Sequence, residues 1–175
     1  MLYDIIFISD KKGDNMRIIV LSDSHGDYAA LESIIMRNTD ADWIIHLGDG
    51  ERELDRFVIS HPVIAPKIIH VAGNCDTGSL SHDVFILPAM NHKILATHGH
   101  RYGVKCSVER LKMLAADHNC DIILYGHTHA RFNHFDDGFY IMNPGSCSCP
   151  RDGNPPSFGH IDISDAGVVV NITDV

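Results

Sequence analysis

Seven residues able to ligate a metal, Asp23, His25, Asp49, Asn74, His98, His127 and His129, sit in five short motifs rich in glycine. The motifs are Asp23-Ser24-His25, Gly48-Asp49, Gly73-Asn74, His98-Gly99-His100 and Gly126-His127-Thr128-His129. Asp, Asn and His are costly at buried strand ends unless something satisfies them, and a metal centre would satisfy all of them at once. The two oxygens of Asp49 can bridge a pair of divalent ions, which two-metal sites hold about 3.5–4 Å apart. Asp23 and His25, two residues apart on an extended loop, share a face and can chelate one ion. His127 and His129 have the same relation and can each reach a different ion. Asn74 offers a neutral carbonyl oxygen and His98 an imidazole. This oxygen and imidazole set, without thiolate, suits Mn²⁺, Fe, Ni²⁺ or Zn²⁺ better than Ca²⁺, with manganese the first choice.

The elements that must position these groups are readable from the hydrophobic pattern. Apolar runs Ile18 to Leu21, Trp43 to Leu47, Ile68 to Ala72 and Ile122 to Tyr125 each precede a motif, and Ile94-Leu95-Ala96 precedes the fifth. Every motif therefore falls at the carboxyl end of a predicted strand, the edge at which open α/β sheets place ligands. Successive motifs are 26, 25, 24 and 29 residues apart, counted from Asp23 through Asp49, Asn74 and His98 to His127. That length suits a strand plus a crossover, so five successive units are expected to share one rim. Helical stripes are expected at Leu31, Ile34 and Ile35 after an Asp27 N-cap, at Leu54, Phe57 and Val58 after Gly50, and from Val104 through Val108 and Leu111 to Ala115. After Asp121 strands dominate, with hairpin turns expected at Asp136-Asp137-Gly138 and Asp165-Ala166-Gly167. A βαβα first half and an antiparallel second half predict two mixed β-sheets packed face to face with helices outside.

The 175 residues suit one domain with a full core. The division expected is an N-terminal extension over residues 1–15, as an edge strand or a tail, and a single domain over 16–175, opened by Met16 and Arg17 to Val20. A formal net charge of −9 leaves no basic surface to displace counterions, which argues against nucleic acid as a partner. No apolar run is long enough for a transmembrane helix. Five cysteines without disulfide-framework spacing fit a reducing, cytoplasmic compartment. Cys147 and Cys149 lack the second pair that a tetrahedral soft-metal site would need. His61, His82, His92, His118 and His160 are read as surface histidines.

Taken together, the five motifs resemble those of the calcineurin-like metallophosphoesterase superfamily, and most closely its small single-domain bacterial and archaeal phosphodiesterases. The resemblance runs from Asp23 to about Arg151 and includes Asn143-Pro144-Gly145-Ser146 and Pro150-Arg151. It implies a four-layer α/β/β/α sandwich and two divalent transition-metal ions per chain. One would be held by Asp23, His25, Asp49 and His129, the other by Asp49, Asn74, His98 and His127. It further implies in-line attack on phosphorus by a metal-bridging hydroxide, with a small phosphodiester or phosphomonoester as substrate. Members of the subgroup are often homodimers or homotetramers. A non-catalytic alternative is the protein-binding scaffold of a retromer subunit with the same fold, whose metal site is degraded.

The chain departs from the wider superfamily at Gly73-Asn74-Cys75-Asp76, where most members carry a histidine in place of Cys75, assisting the leaving group with an aspartate behind it. Asn74, Cys75 and Asp76 are the candidate catalytic residues. A thiol with an ordinary pKa near 8.5 cannot offer a cationic hydrogen bond to a departing oxygen. Cys75 reads as a small polar pocket residue rather than a nucleophile, because no base is evident beside it. His100 reads as a neighbour of the site or a surface group, Arg101 and Arg151 as solvated charges able to reach a phosphate, and Ser146 as a turn residue near the site.

Overall fold

The computed structural model describes residues 4–5 and 15–175. Its strands alternate between two destinations because the hydrophobic pattern alternates between two faces. On β2 (Asn15–Leu21), Ile18 and Val20 face one core while Ile19 and Leu21 face another. On β7 (Ile122–Tyr125), Ile122 and Leu124 are separated from Ile123 and Tyr125 in the same way. Strands apolar on both faces must be covered on both.

The covering produces four layers. A five-stranded sheet has the order β11-β10-β2-β3-β4, with β3 (Trp43–His46), β4 (Ile68–His70), β10 (Ser157–Ser164) and β11 (Gly167–Asp174). A six-stranded sheet has the order β1-β5-β6-β7-β9-β8, with β1 (Asp4–Ile5), β5 (Val84–Ala89), β6 (His92–Thr97), β8 (Arg131–Asp136) and β9 (Phe139–Pro144). Both sheets are mixed: β2-β3-β4 and β6-β7-β9 run parallel, while β5-β6, β8-β9, β10-β11 and β10-β2 are antiparallel. The core between the sheets includes Ile18, Val20, Ile45, Leu87, Ala96 and Leu124. Helices α1 (Tyr28–Arg37) and α2 (Glu51–Ser60) cover the outer face of the smaller sheet through Leu31, Ile34, Ile35, Leu54 and Phe57. Helix α3 (Glu109–Asp117) covers the other outer face through Leu111 and Ala115.

Asp27 caps α1 as expected, its Oδ1 accepting from the amide of Ala30 at 3.0 Å. The turn at Asp136-Asp137-Gly138 is the expected hairpin, with Asp137 and Gly138 both at positive φ (50° and 86°). Three expectations are corrected. The interval from Asn74 to His98 holds no crossover helix: after β4 the chain changes sheets and lays down the antiparallel hairpin β5-β6, whose first strand the patterning did not single out. Helix α3 begins at Glu109 rather than near Val104, because Gly103 takes a left-handed conformation (φ 70°) after the short 3-10 turn His100–Tyr102; Val104 is buried from a loop. The antiparallel second half is divided, with β8-β9 completing one sheet and β10-β11 returning to the other beside β2. Of the N-terminal extension, the described pair Asp4–Ile5 pairs in parallel with β5 at a sheet edge; residues 1–3 and 6–14 lie outside the described residues. No helix among the described residues is long and apolar enough to cross a membrane.

Candidate metal centre

The carboxyl ends of β2, β3 and β4 in one sheet and of β6 and β7 in the other open onto a common rim, and the five motifs meet there. The loops are stitched to one another by backbone contacts. Asp23 N donates to Gly48 O (3.1 Å), His25 N to Asp49 O (3.0 Å) and Gly126 N to His98 O (3.2 Å). Two side-chain bonds join the sheets: His98 Nδ1 to Leu47 O (2.7 Å) and the His127 amide to Asp23 Oδ2 (3.1 Å).

Asp23 and His25 converge, but not from an extended loop. Asp23, His25, Asp49, His127 and His129 all have positive φ (55°, 43°, 57°, 67° and 56°). The three motifs that hold these residues are therefore tight turns that throw the side chains back over the strand ends. The close approach also dictates residue type at Gly73, where any Cβ would overlap Asp49 Oδ1 and the Asp49 amide.

Asp23, Asp49, His98 and His129 are buried and form the floor, whereas His25 and Asn74 are exposed at the mouth and His127 is half-buried. His129 Nε2 lies 3.1 Å from both Asp23 Oδ1 and His25 Nε2. His25 Nε2 is 3.7 Å from Asp49 Oδ2. His98 Nε2 lies 3.4 Å from Asp49 Oδ2 and 3.2 Å from Asn74 Oδ1. His127 stands beside His98, ring centroids 5.1 Å apart. The seven predicted groups thus share one rim, with His127 the least closely engaged.

The donor chemistry fits cations. His98 and His129 each give Nδ1 to a backbone carbonyl, of Leu47 (2.7 Å) and Cys149 (2.8 Å), which leaves Nε2 lone pairs facing the centre. Asp23 Oδ1 is buried with no partner of hydrogen-bond geometry. With the imidazoles neutral, a buried acceptor would face other acceptors, which is costly unless a proton or a metal cation lies between them. Burial opposes ionisation of Asp23, but His129, His98 and Ser22 outweigh it and hold the carboxyl below its ordinary range. Burial likewise opposes ionisation of Asp49, and His98 with the Cys75 amide reverses it. The Asp23 contact raises His129 to about 8, whereas burial and the neighbouring His98 lower His127 to about 4.

The three candidate catalytic residues separate. Asn74 faces His98. The Cys75 amide donates to Asp49 Oδ1 (2.7 Å), and burial, followed by Asp49, pushes its thiol up to about 11. Asp76 is committed to the backbone: Oδ2 accepts from Asp49 N and Gly73 N (both 2.8 Å), and Oδ1 from Gly50 N (2.9 Å) and Glu51 N (3.0 Å). Burial opposes its ionisation, but His70 and these amides hold it far below the carboxylate range. Asp76 fastens the Asp49 turn to the Asn74 turn.

Sequence reasoning missed a supporting network. Fully buried His46 accepts from Gly48 N (3.2 Å) and contacts Ser24 Oγ (3.0 Å), which donates to Glu53 Oε1 (2.6 Å). Burial, with His70 nearby, lowers His46 to about 3, so it is neutral. Cys149 was likewise missed, grouping with His25 and His129 within 4.8 Å, while Cys147 is buried under the helices. Ser146 is buried and donates to Asp23 O (2.7 Å), and Arg101 is paired with Asp83 (2.7 Å). The five histidines read as surface groups are half-buried.

A sequence profile of the calcineurin-like phosphoesterase superfamily domain matches residues 16–166. The chain is 32% identical over 160 residues to the "probable metallophosphoesterase" YsnB of Bacillus subtilis, covering 91% of each. It is 29% identical over 180 residues to the phosphodiesterase YfcE of Escherichia coli, covering 91% of this chain and 94% of that one. Among solved structures, a conserved uncharacterized protein of Streptococcus pneumoniae TIGR4, described as a predicted phosphoesterase, superposes with a TM-score of 0.79 at 28% identity over 91% of this chain and 90% of that one. Vacuolar protein sorting 29 of Cryptosporidium parvum gives 0.72 at 16% identity over 92% and 98%, which shows a shared fold alone. By sequence profile, relatives and fold, the chain belongs to the calcineurin-like phosphoesterase superfamily.

Proposed function

We propose that this member of a phosphoester-hydrolysing superfamily is a dinuclear metal-dependent phosphodiesterase. The observation that carries the reading is the convergence of buried Asp23 Oδ1, without a hydrogen-bond partner, with the Nε2 atoms of His129 on the floor and His25 at the mouth. Asp23, His25, Asp49 and His129 would hold one ion; Asp49, Asn74, His98 and His127 would hold the other. When bound, divalent ions supply a water of lowered pKa as nucleophile and positive charge for the phosphoryl oxygens. The chain's own contribution is placement. The Cys75 amide fixes the rotamer of Asp49, the Leu47 and Cys149 carbonyls fix two imidazoles, and Ser146 holds the Asp23 backbone. The protonated Cys75 thiol stands at the mouth, so departure of the alcohol depends on its own acidity. Manganese is the proposed metal and the cytoplasm the proposed compartment, in keeping with the five free cysteines.

The scaffold reading rests on a shared fold with vacuolar protein sorting 29. The complete set of seven groups at one rim supports hydrolysis instead. The test is to strip the protein with chelator, verify its metal content, and assay bis(4-nitrophenyl) phosphate and 4-nitrophenyl phosphate after adding single metals. Hydrolysis of the diester should vanish on stripping and return with Mn²⁺ more than with Mg²⁺, because imidazoles favour transition metals. Full activity in metal-free protein, or none with any metal, would overturn the reading.

A further inference from the structure

Two clefts lead away from the centre, and both are lined by Arg52 and Arg56. The larger, about 630 Å³, begins at Cys75, Asp76 and Thr77 and runs along the exposed side of α2. The smaller, about 320 Å³, begins at Gly26, next to His25, and reaches the same arginines. Residues four apart on a helix project from one face, so the pair forms a single cationic station between the two openings.

Among the described residues, four cations of this acidic chain are tied to carboxylates, and these two arginines are not among them. Arg17, Arg101, Lys112 and Arg131 each hold a carboxylate, at 2.8, 2.7, 2.6 and 2.6 Å. Arg52 and Arg56 have no carboxylate partner among the described residues, although acids surround them. Those acids are mostly committed elsewhere. Glu51 Oε1 accepts from Ser79 and Ser81, Glu53 Oε1 from Ser24 and Gly26, and Asp76 from four amides, which leaves Asp55 facing the larger cleft. Arg56 is held in place by the Tyr28 ring, 4.1 Å from its centroid, and a guanidinium on an aromatic face keeps its N–H groups free to bind an anion.

We propose that this station is a specificity subsite for phosphodiesters in which one alcohol carries a further anion, a terminal phosphate or a carboxylate. The inference rests on the phosphodiesterase reading above. With phosphorus over the floor, the ester substituent that stays on phosphorus extends through one of the two clefts, and its distal anion meets Arg52 and Arg56. The subsite selects the substrate's charge and takes no part in bond breaking.

The test uses the metal-restored full chain and three 4-nitrophenyl alkyl phosphodiesters of equal length, ending in a hydroxyl, a carboxylate or a phosphate. An anionic end should raise kcat/KM about tenfold over the hydroxyl end at low salt, mainly through KM, because two exposed arginine contacts are each worth a small factor. The advantage should fall towards one in Arg52→Ala/Arg56→Ala, return in part in Arg52→Lys/Arg56→Lys, and shrink at high salt. A gain for phosphate alone, or for carboxylate alone, supports the subsite and assigns its ligand. Equal kcat/KM on all three diesters, or an advantage that survives the double alanine variant, overturns the subsite while leaving the phosphodiesterase reading intact. Failure to hydrolyse any of the three with any metal overturns both.

Discussion

Replacing Asp76 with asparagine separates the backbone role assigned here from a catalytic one. Each carboxylate oxygen accepts two amides, Asp49 N and Gly73 N at 2.8 Å on one side, Gly50 N at 2.9 Å and Glu51 N at 3.0 Å on the other. In Asp76→Asn one pair of amides would face an NH₂ group, donor against donor. Hydrogen bonds to a charged group contribute about 1.5–3 kcal/mol each, so losing two sets an upper range near 3–6 kcal/mol, and relaxation with entering water should reduce the cost to about 2–4 kcal/mol. The assay is urea unfolding of the metal-free protein, read as a lower midpoint at unchanged slope. The pH dependence supplies a second readout. Because the folded carboxyl titrates far below its ordinary value, its stabilisation is present above the unfolded pKa near 3.9 and is lost as pH falls towards the folded one. The gap between the two proteins should therefore be constant from pH 6 to 8 and narrow below about pH 4. Equal midpoints across that range, with activity lost, would refute the backbone role and return Asp76 to the chemistry.

Asp49→Asn should lose bound metal and activity together, by at least about 10²-fold, since even a group that only orients a metal ligand is typically worth 10–100-fold; two tightly held ions with a near-normal rate would contradict the bridging assignment. Cys75→Ser should leave kcat within a factor of about three, because a protonated thiol and a hydroxyl are both weak acids; a collapse at unchanged metal content would give the thiol a direct role. Cys75→His should favour substrates with poor leaving groups over nitrophenyl esters, by up to the roughly 10²-fold at the low end of general-acid assistance.

The convergence of the proposed ligands was legible because Asp23, Asp49 and His98 end apolar strands where burial without a partner is unfavourable. The four layers were legible for a related reason, since Ile18 to Leu21 and Ile122 to Tyr125 are apolar on both faces and must be sandwiched. What lay hidden depends on tertiary contact. The spacing from Asn74 to His98 suits a crossover or a hairpin equally, and strand Val84–Ala89, interrupted by Pro88, carries no alternation. Val104 continued the helical stripe by coincidence, reaching the core from beyond Gly103. His46 and Glu53 meet only through Ser24, residues from a strand end, a helix and a loop that no local pattern connects. The left-handed turns escaped notice because His25, His127 and His129 are not residues that announce them.

Those turns have a consequence for how the protein balances robustness against activity. A left-handed conformation costs a residue with a Cβ roughly 1–2 kcal/mol, and here five of the seven proposed ligand residues adopt it. Selection for durability alone would put glycine at several of these positions. The conformations persist because packing on both sheets over-determines them. On the proposed reading the reward is a receptor that a cation would find already assembled, with little ordering left to do on arrival. Stabilising substitutions found by screening should therefore accumulate at the ligand turns first, and each would buy its stability with the metal.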